Sequence, residues 1–152
     1  MDRKNLLALL DAEIRLTKDA RDVLVYSLEQ CRNIGTRDSY TNGELTEYEA
    51  LTARFSRLSD ILIQKLLRTL DTLELEEPGT IRDRINRAEK RDLVQTAEDL
   101  IKIRTLRNEI VHEYLPEALQ GLFREVLLLT PILLEITGKT VDYAGTAMRD
   151  NP

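Results

Sequence analysis

One short stretch in the last third of the chain combines side chains suited to phosphate chemistry. Residues 107–114 read RNEIVHEY and include His112, the only histidine of the sequence. Histidine exchanges a proton near neutral pH, and arginine is a permanent cation whose planar fork of N–H groups matches a phosphate. The combination of Arg107 with His112 therefore indicates chemistry on a phosphate group.

The spacing of these two residues sets how they can act together. Ile103, Leu106 and Ile110 mark the inward face of a helix, and Arg107 falls inside the same arc. His112 lies about 140° away from Arg107 on a regular helix, so one chain cannot easily direct both side chains at one atom. Two copies of this helix related by a two-fold axis can do so, which predicts a site shared between subunits of a homodimer.

Two further polar residues accompany the pair. Asn108 precedes His112 by four residues and is predicted on its face of the helix. Tyr114 follows Arg107 by seven residues, about 20° away, and is predicted on the face of Arg107. An arginine directed at an apolar face needs a partner or a ligand, because leaving it unpaired costs roughly several kcal/mol.

These residues resemble a known motif. Arg107, Asn108, His112 and Tyr114 are similar to the R-x4-H-x-Y pattern of HepT-like toxins, members of the HEPN superfamily of small helical ribonucleases. The position late in a helix, with another long helix after it, is also similar. Outside this helix the resemblance extends only to the all-α architecture.

The resemblance implies an activity and a partner. It implies a toxin-type endoribonuclease that needs no metal or other cofactor, acts across a dimer interface, and has a minimal nucleotidyltransferase as its antitoxin. RNA supplies the 2′-OH nucleophile, so DNA is not an expected substrate; neutral His112 would take the proton, and Arg107 would stabilise charge on the phosphorane oxygens. Asn108 would orient the phosphate or His112. Tyr114 would be the site where the antitoxin attaches AMP.

Other interpretations of the same residues stay open. The chain can be a non-catalytic, HEPN-like substrate-binding partner of a nucleotidyltransferase. It can also be a di-iron carboxylate bundle, because Glu109 and His112 form a Glu-x-x-His motif, although Arg107 would repel the metals. Taken singly, His112 can be a surface residue, Arg107 an ordinary ion pair, and Tyr114 a core aromatic.

The elements around the motif are predicted to be helices. Apolar residues recur at three- and four-residue steps, which favours an all-α, HEPN-like bundle of four or five helices in a single domain over 1–152. The apolar faces of the second and fifth helices exceed what one chain readily covers, which again favours a homodimer. The predicted helices cover 6–31, 44–75, 80–91 with Thr80 as cap, 100–114, and 116–136 with a kink at Pro131; residues 138–152 are a weakly patterned tail.

Composition limits the class of protein further. The chain has 152 residues, 42% of them hydrophobic, a net charge of −5 and one cysteine, Cys31. The negative charge argues against coating nucleic acid by bulk electrostatics, although residues 80–110 carry eight Lys/Arg against six Asp/Glu. The apolar run from Leu122 to Ile136 is interrupted by charges and a proline, so no membrane association and a cytoplasmic location are expected.

Overall fold

A computed structural model describes residues 1–150, and most of these residues are helical with no strand among them, which confirms the all-α class. None of the described helices combines the length and the apolar character needed to cross a membrane. The helices are α1 (Arg3–Ile34), α2 (Asn42–Asp60), a π-helical segment (Ile61–Leu66), α3 (Leu67–Leu73), α4 (Ile81–Lys90), α5 (Ala97–His112), α6 (Pro116–Gly121) and α7 (Phe123–Asp150).

Side-chain caps fix where several helices begin. The Thr41 side chain accepts from the backbone of Glu44, whose carboxylate accepts from the backbone of Thr41, and this capping box starts α2. Thr80 and Asp83 form the same arrangement at α4, so the predicted cap at Thr80 is confirmed. At Gly79, φ is +59° and an added Cβ would lie 2.5 Å from a carboxylate oxygen of Asp83, and both features favour glycine there.

The core lies between α1, α2 with its π-helical continuation, and α7. Tyr48 and Phe123 stack in it with ring centroids 4.5 Å apart, and each such large buried side chain contributes about 1.5–3 kcal/mol. The apolar residues predicted on the second helix are all buried within one chain, so they do not call for a second copy. They are Leu51, Phe55, Leu58, Ile61, Leu62, Leu66, Leu67 and Leu70.

The predicted second helix is a continuous rod that changes its winding. The chain passes from α2 through the π-helical segment into α3 without leaving the helical conformation. Buried Arg84 of α4 supports this segment by donating from Nη1 to the carbonyl of Ile63 at 2.9 Å. Single π-helical turns often occur at functional sites, and this one lies directly after Asp60.

The C-terminal third differs from its prediction. The fifth helix is divided into α6 and α7, so the described chain has more helices than the four or five predicted, and Pro131 lies inside α7. The predicted weakly structured tail is wrong for residues 138–150, which belong to α7 and bury Val141 and Ala144; residues 151–152 lie outside the described chain. The apolar periodicity of this segment is weak because threonine and alanine form this part of the core. The hydroxyls of Thr137 and Thr140 donate to the carbonyls four residues earlier.

Candidate active site

Helix α5 carries Arg107 at its border with α2. Leu106 is buried, and the next residue, Arg107, reaches Asp60, the last residue of α2. Nη2 of Arg107 donates to Oδ2 of Asp60 at 2.8 Å, and Nε lies 2.7 Å from Oδ1 without hydrogen-bond geometry. The side chains are 29% and 43% exposed, so this is a half-open ion pair.

Asn108 helps to orient the side chain of Arg107. Its Oδ1 accepts a hydrogen bond of 3.2 Å from Nη1 of Arg107. All three guanidinium nitrogens of Arg107 therefore have an oxygen nearby, from Asp60 or Asn108. The orientation of the guanidinium is consequently fixed before any ligand arrives.

A groove of about 540 Å³ opens beside this ion pair, between α5 and the end of α2 with the π-helical segment. Its wall holds four cationic side chains and one carboxylate. Within residues 1–150, the side chains of Arg57 and Arg104 make neither an ion pair nor a hydrogen bond, so their charges are uncompensated. A groove with an excess of positive charge attracts anions. The lining consists of Arg57, Ser59, Asp60, Ile61, Ile63, Gln64, Lys65, Arg104, Arg107 and Asn108.

Ser59 adds a polar group to the groove wall. Its side chain is buried, and its Oγ has no hydrogen-bond partner in the described chain. A buried hydroxyl without a partner costs about 1–3 kcal/mol.

His112 lies apart from the groove. It is the last residue of α5, it is exposed, and it does not line the cavity that Arg107 and Asn108 line. Five residues along an α-helix correspond to a rise of about 7.5 Å and a rotation of about 140°. The structure thus brings Arg107 and Asn108 together and leaves His112 outside their cavity within one chain.

Tyr114 is not on the helical face of Arg107, and that prediction is wrong. Helix α5 ends at His112 rather than at residue 114, and Glu113 already has an extended backbone. The Glu113 carboxylate accepts from the backbone N–H of Leu115, and Pro116 restricts the residue before it to extended conformations. Tyr114 is therefore 87% exposed, outside any helix.

The Glu-x-x-His pair has no further ligands around it. Glu109 is exposed on α5. No group of three or more His, Cys, Asp or Glu side chains that could hold a metal ion occurs within residues 1–150. The di-iron interpretation consequently gains no support from side-chain placement.

Several residues of the groove were not singled out from the sequence. Asp60 lies 47 positions before Arg107, and no local pattern connects the two. The spacing of Arg57, Asp60 and Gln64 at steps of three and four within an apolar run was the available signal, because it marks one polar stripe on a mostly buried helix.

Comparisons with family models, curated proteins and solved structures give no match for this chain.

Proposed function

We propose that this protein is a toxin-type, metal-independent endoribonuclease, similar to HepT-like members of the HEPN superfamily, with a composite Arg/His site formed by two copies of the chain. The observation that carries the proposal is the cationic groove at Arg107. It has uncompensated charges on Arg57 and Arg104 and borders the helix that ends in the exposed His112.

The chemistry proceeds without groups beyond the two chains, the RNA and water. His112 of one copy takes the proton of a ribose 2′-OH, and the 2′-oxygen forms a bond to the adjacent phosphorus. Arg107 of the second copy stabilises the charge on the phosphorane oxygens. The bond from phosphorus to the 5′-oxygen breaks, this oxygen takes a proton from solvent, and the products carry a 2′,3′-cyclic phosphate and a 5′-OH.

Asp60 and Asn108 have positioning roles in this scheme. They hold the guanidinium of Arg107 at the groove wall by contacts of 2.7–3.2 Å. A catalytic cation that is already oriented loses less conformational freedom when the phosphate binds.

The dimer follows from the separation of Arg107 and His112. A second copy must present its His112 to the groove, and the residues next to His112 suit a contact surface because Val111 and Leu115 are exposed. Exposed apolar groups of this kind are buried favourably against another protein surface.

Regulation by a minimal nucleotidyltransferase is part of the proposal. The hydroxyl of Tyr114 is accessible to a second enzyme, since the side chain is 87% exposed. AMP attached there adds a bulky anion near His112, and like-charge repulsion and steric exclusion then oppose RNA binding. Intact-mass analysis after co-expression measures the added AMP, with Tyr114→Phe as the unmodifiable variant. A silenced wild-type complex with unmodified Tyr114 rejects this mode of control.

A second candidate is a binding partner of a nucleotidyltransferase that uses the groove without cleaving RNA. The Arg107–Asp60 ion pair favours it, because Asp60 compensates the charge that catalysis would use. The two candidates share the groove and differ in whether His112 matters.

Cleavage of RNA by the full chain in excess EDTA distinguishes the two candidates. The nuclease gives 2′,3′-cyclic phosphate ends, a 2′-deoxy substitution at the cleaved position abolishes the reaction, and His112→Ala lowers the rate by about 10²–10⁴-fold. Glu109→Gln is the matched control, an exposed position on the same helix, and keeps the wild-type rate. A wild-type chain that binds RNA and never cleaves it supports the binding module. Strict dependence on added metal, with loss of activity in Glu109→Gln, supports the metal site instead.

Mixing two inactive variants tests whether the site is shared. A dimer of one Arg107→Ala chain and one His112→Ala chain retains one intact composite site out of two. Random mixing then restores about a quarter of the wild-type rate, since half of the dimers are mixed. No recovery, while the separate variants stay dimeric, rejects a site divided between copies.

A further inference from the structure

A second cavity adjoins the groove across the π-helical segment. It measures about 400 Å³ and lies between α1 and the rod formed by the π-helical segment and α3. Gln64 and Lys65 line both this cavity and the groove of Arg107. A strand bound in the groove can therefore continue into the second cavity.

The unusual group in this cavity is a buried carboxylate. Glu13 of α1 is only 7% exposed, and its Oε2 has no hydrogen-bond partner in the described chain. The charges of Lys65 and Arg68 are near enough to affect the pKa of Glu13. No arginine or lysine among residues 1–150 lies within ion-pair distance of its carboxylate. Burying an acceptor without a donor is unfavourable, so Oε2 of Glu13 lacks an N–H or O–H donor that a ligand can supply.

The residues around Glu13 restrict which ligand can supply this hydrogen-bond donor. Lys65 and Arg68 line the same cavity and give it a net positive charge, which opposes a cationic ligand and favours one that also carries a phosphate. Burial raises the pKa of the Glu13 carboxyl, and the hydrogen bond from Thr69 and the charges of Lys65 and Arg68 offset this rise only in part.

An ionised carboxylate accepts hydrogen bonds and donates none. Among the Watson–Crick edges of the RNA bases, that of guanine presents two adjacent donors, N1–H and N2–H2, which match two carboxylate oxygens. The edges of adenine, cytosine and uracil pair a donor with acceptors. Glu13 lines the cavity, and rotation about its last torsion, which is broad for glutamate, changes the direction of its two oxygens.

We infer that the Glu13 cavity binds a guanine base of the RNA strand, with Glu13 accepting from its Watson–Crick edge and Lys65 and Arg68 contacting its phosphate. This assignment rests on the proposed function for the source of the nucleotide. It gives the nuclease a preference for RNA that contains guanine.

The test measures the equilibrium binding of each of the four nucleoside 5′-monophosphates to the full chain. NMR chemical shifts of the protein report the binding. GMP binds the wild-type protein more tightly than AMP, CMP or UMP by about tenfold, the discrimination of a good bidentate base contact. Glu13→Met removes the preference, and Arg68→Gln weakens all four nucleotides alike. Glu29→Met, at an exposed position of the same helix, keeps the preference. Glu13→Gln, which keeps one acceptor, reduces the preference and serves if the Met variant does not fold.

The outcomes separate this inference from the nuclease. Equal affinities for the four nucleotides, or an unchanged preference in Glu13→Met, overturn the guanine assignment even if RNA is cleaved. A preference for GMP in a protein that never cleaves RNA supports the site and rejects the nuclease. An oligouridylate with one guanosine must also bind more tightly than oligouridylate alone. A GMP preference without this difference overturns RNA as the source.

Discussion

Among the sites of this protein that pair carboxylates with arginines, two differ in how completely the charges are matched. Asp71 accepts from Arg87 at 3.1 Å and from Arg91 at 2.7 Å, and both Asp71 and Arg91 are nearly inaccessible to solvent. The Asp60–Arg107 pair has similar distances but stays half-open, next to cations without partners.

The difference separates a structural cluster from a binding site. Glu74 also pairs with Arg91, and Glu76 with Arg87, so the acidic groups of α3 and the following loop compensate the arginines at the end of α4. Nothing remains for a ligand to neutralise. At Arg107 the surrounding groove keeps an excess of positive charge and open volume, the two conditions for binding an anion from solution.

The largest expected effect is on catalysis at the Asp60–Arg107 pair, the open site of this comparison. Arg107→Ala lowers the rate of RNA cleavage by about 10²–10³-fold, the usual cost of losing one donor to a developing oxyanion. Its free energy of unfolding falls by about 1 kcal/mol or less, since Asp60 remains hydrated when its partner is removed. Urea unfolding and single-turnover cleavage measure the two quantities. A variant that unfolds would show that the Asp60–Arg107 pair is structural, like the Asp71 cluster.

The next largest effect is on stability at the cluster of Asp71, Arg87 and Arg91, the closed site of this comparison. Asp71→Ala leaves the largely buried side chains of Arg87 and Arg91 without their main acceptor and costs about 3–5 kcal/mol of unfolding free energy. Asp60→Ala, the matched variant at the open site, costs about 1 kcal/mol or less. Equal losses in chemical denaturation would contradict the distinction between the two sites.

Glu13 sharpens the comparison because it is a buried carboxylate without an arginine partner. Burial raises its pKa above 4.5, so the folded chain holds a proton that the unfolded chain releases. Stability therefore falls as pH rises from 4.5 through the higher pKa of the folded state. Relative to Glu13→Gln, the wild-type protein should lose unfolding free energy over this window in urea titrations at successive pH values. Parallel profiles for the two proteins would show that the folded state does not shift this carboxyl.

The smallest effect concerns a single uncompensated cation. Arg57→Gln keeps the stability of the protein within about 0.5 kcal/mol because the side chain is exposed and has no partner in the described chain. The salt dependence of RNA binding should become shallower by about 0.7 in the slope of log K against log salt, because the variant neutralises one phosphate fewer. Arg82→Gln, on α4 and away from the groove, is the control with an unchanged slope. An unchanged slope for Arg57→Gln would place RNA outside the groove.

The sequence predicts the helical class and the inward placement of Arg107, but not the partner of this arginine. Apolar periodicity identifies α1 and the rod from α2 to α3 because their buried leucines are regularly spaced. It fails over residues 138–150, where threonine and alanine pack the core with little periodic signal. Asp60 and Glu13 were missed because their importance depends on contacts between distant parts of the chain.

The position of Tyr114 shows a related limit. The helical wheel that places it near Arg107 assumes a helix through residue 114, and local competition at Glu113 and before Pro116 ends the helix two residues earlier. A short-range hydrogen bond thus decides the direction of a side chain that periodicity alone assigns to the wrong face. The separation of Arg107 from His112 is predicted correctly because both residues lie within the regular part of α5.

The π-helical segment has a consequence for insertions and deletions in this chain. Its wider turn rotates everything after Leu66 relative to α2, so that Asp60 faces α5 while Asp71 faces α4. Removing one residue between 61 and 66 would let regular α-helical winding return with α3 in nearly its present orientation, whereas adding one residue would turn α3 by about 100°. After such an insertion the two carboxylates could not both keep their arginines. This rod should therefore tolerate the loss of one residue far better than the gain of one, whereas the exposed loop at 75–79 can vary in length.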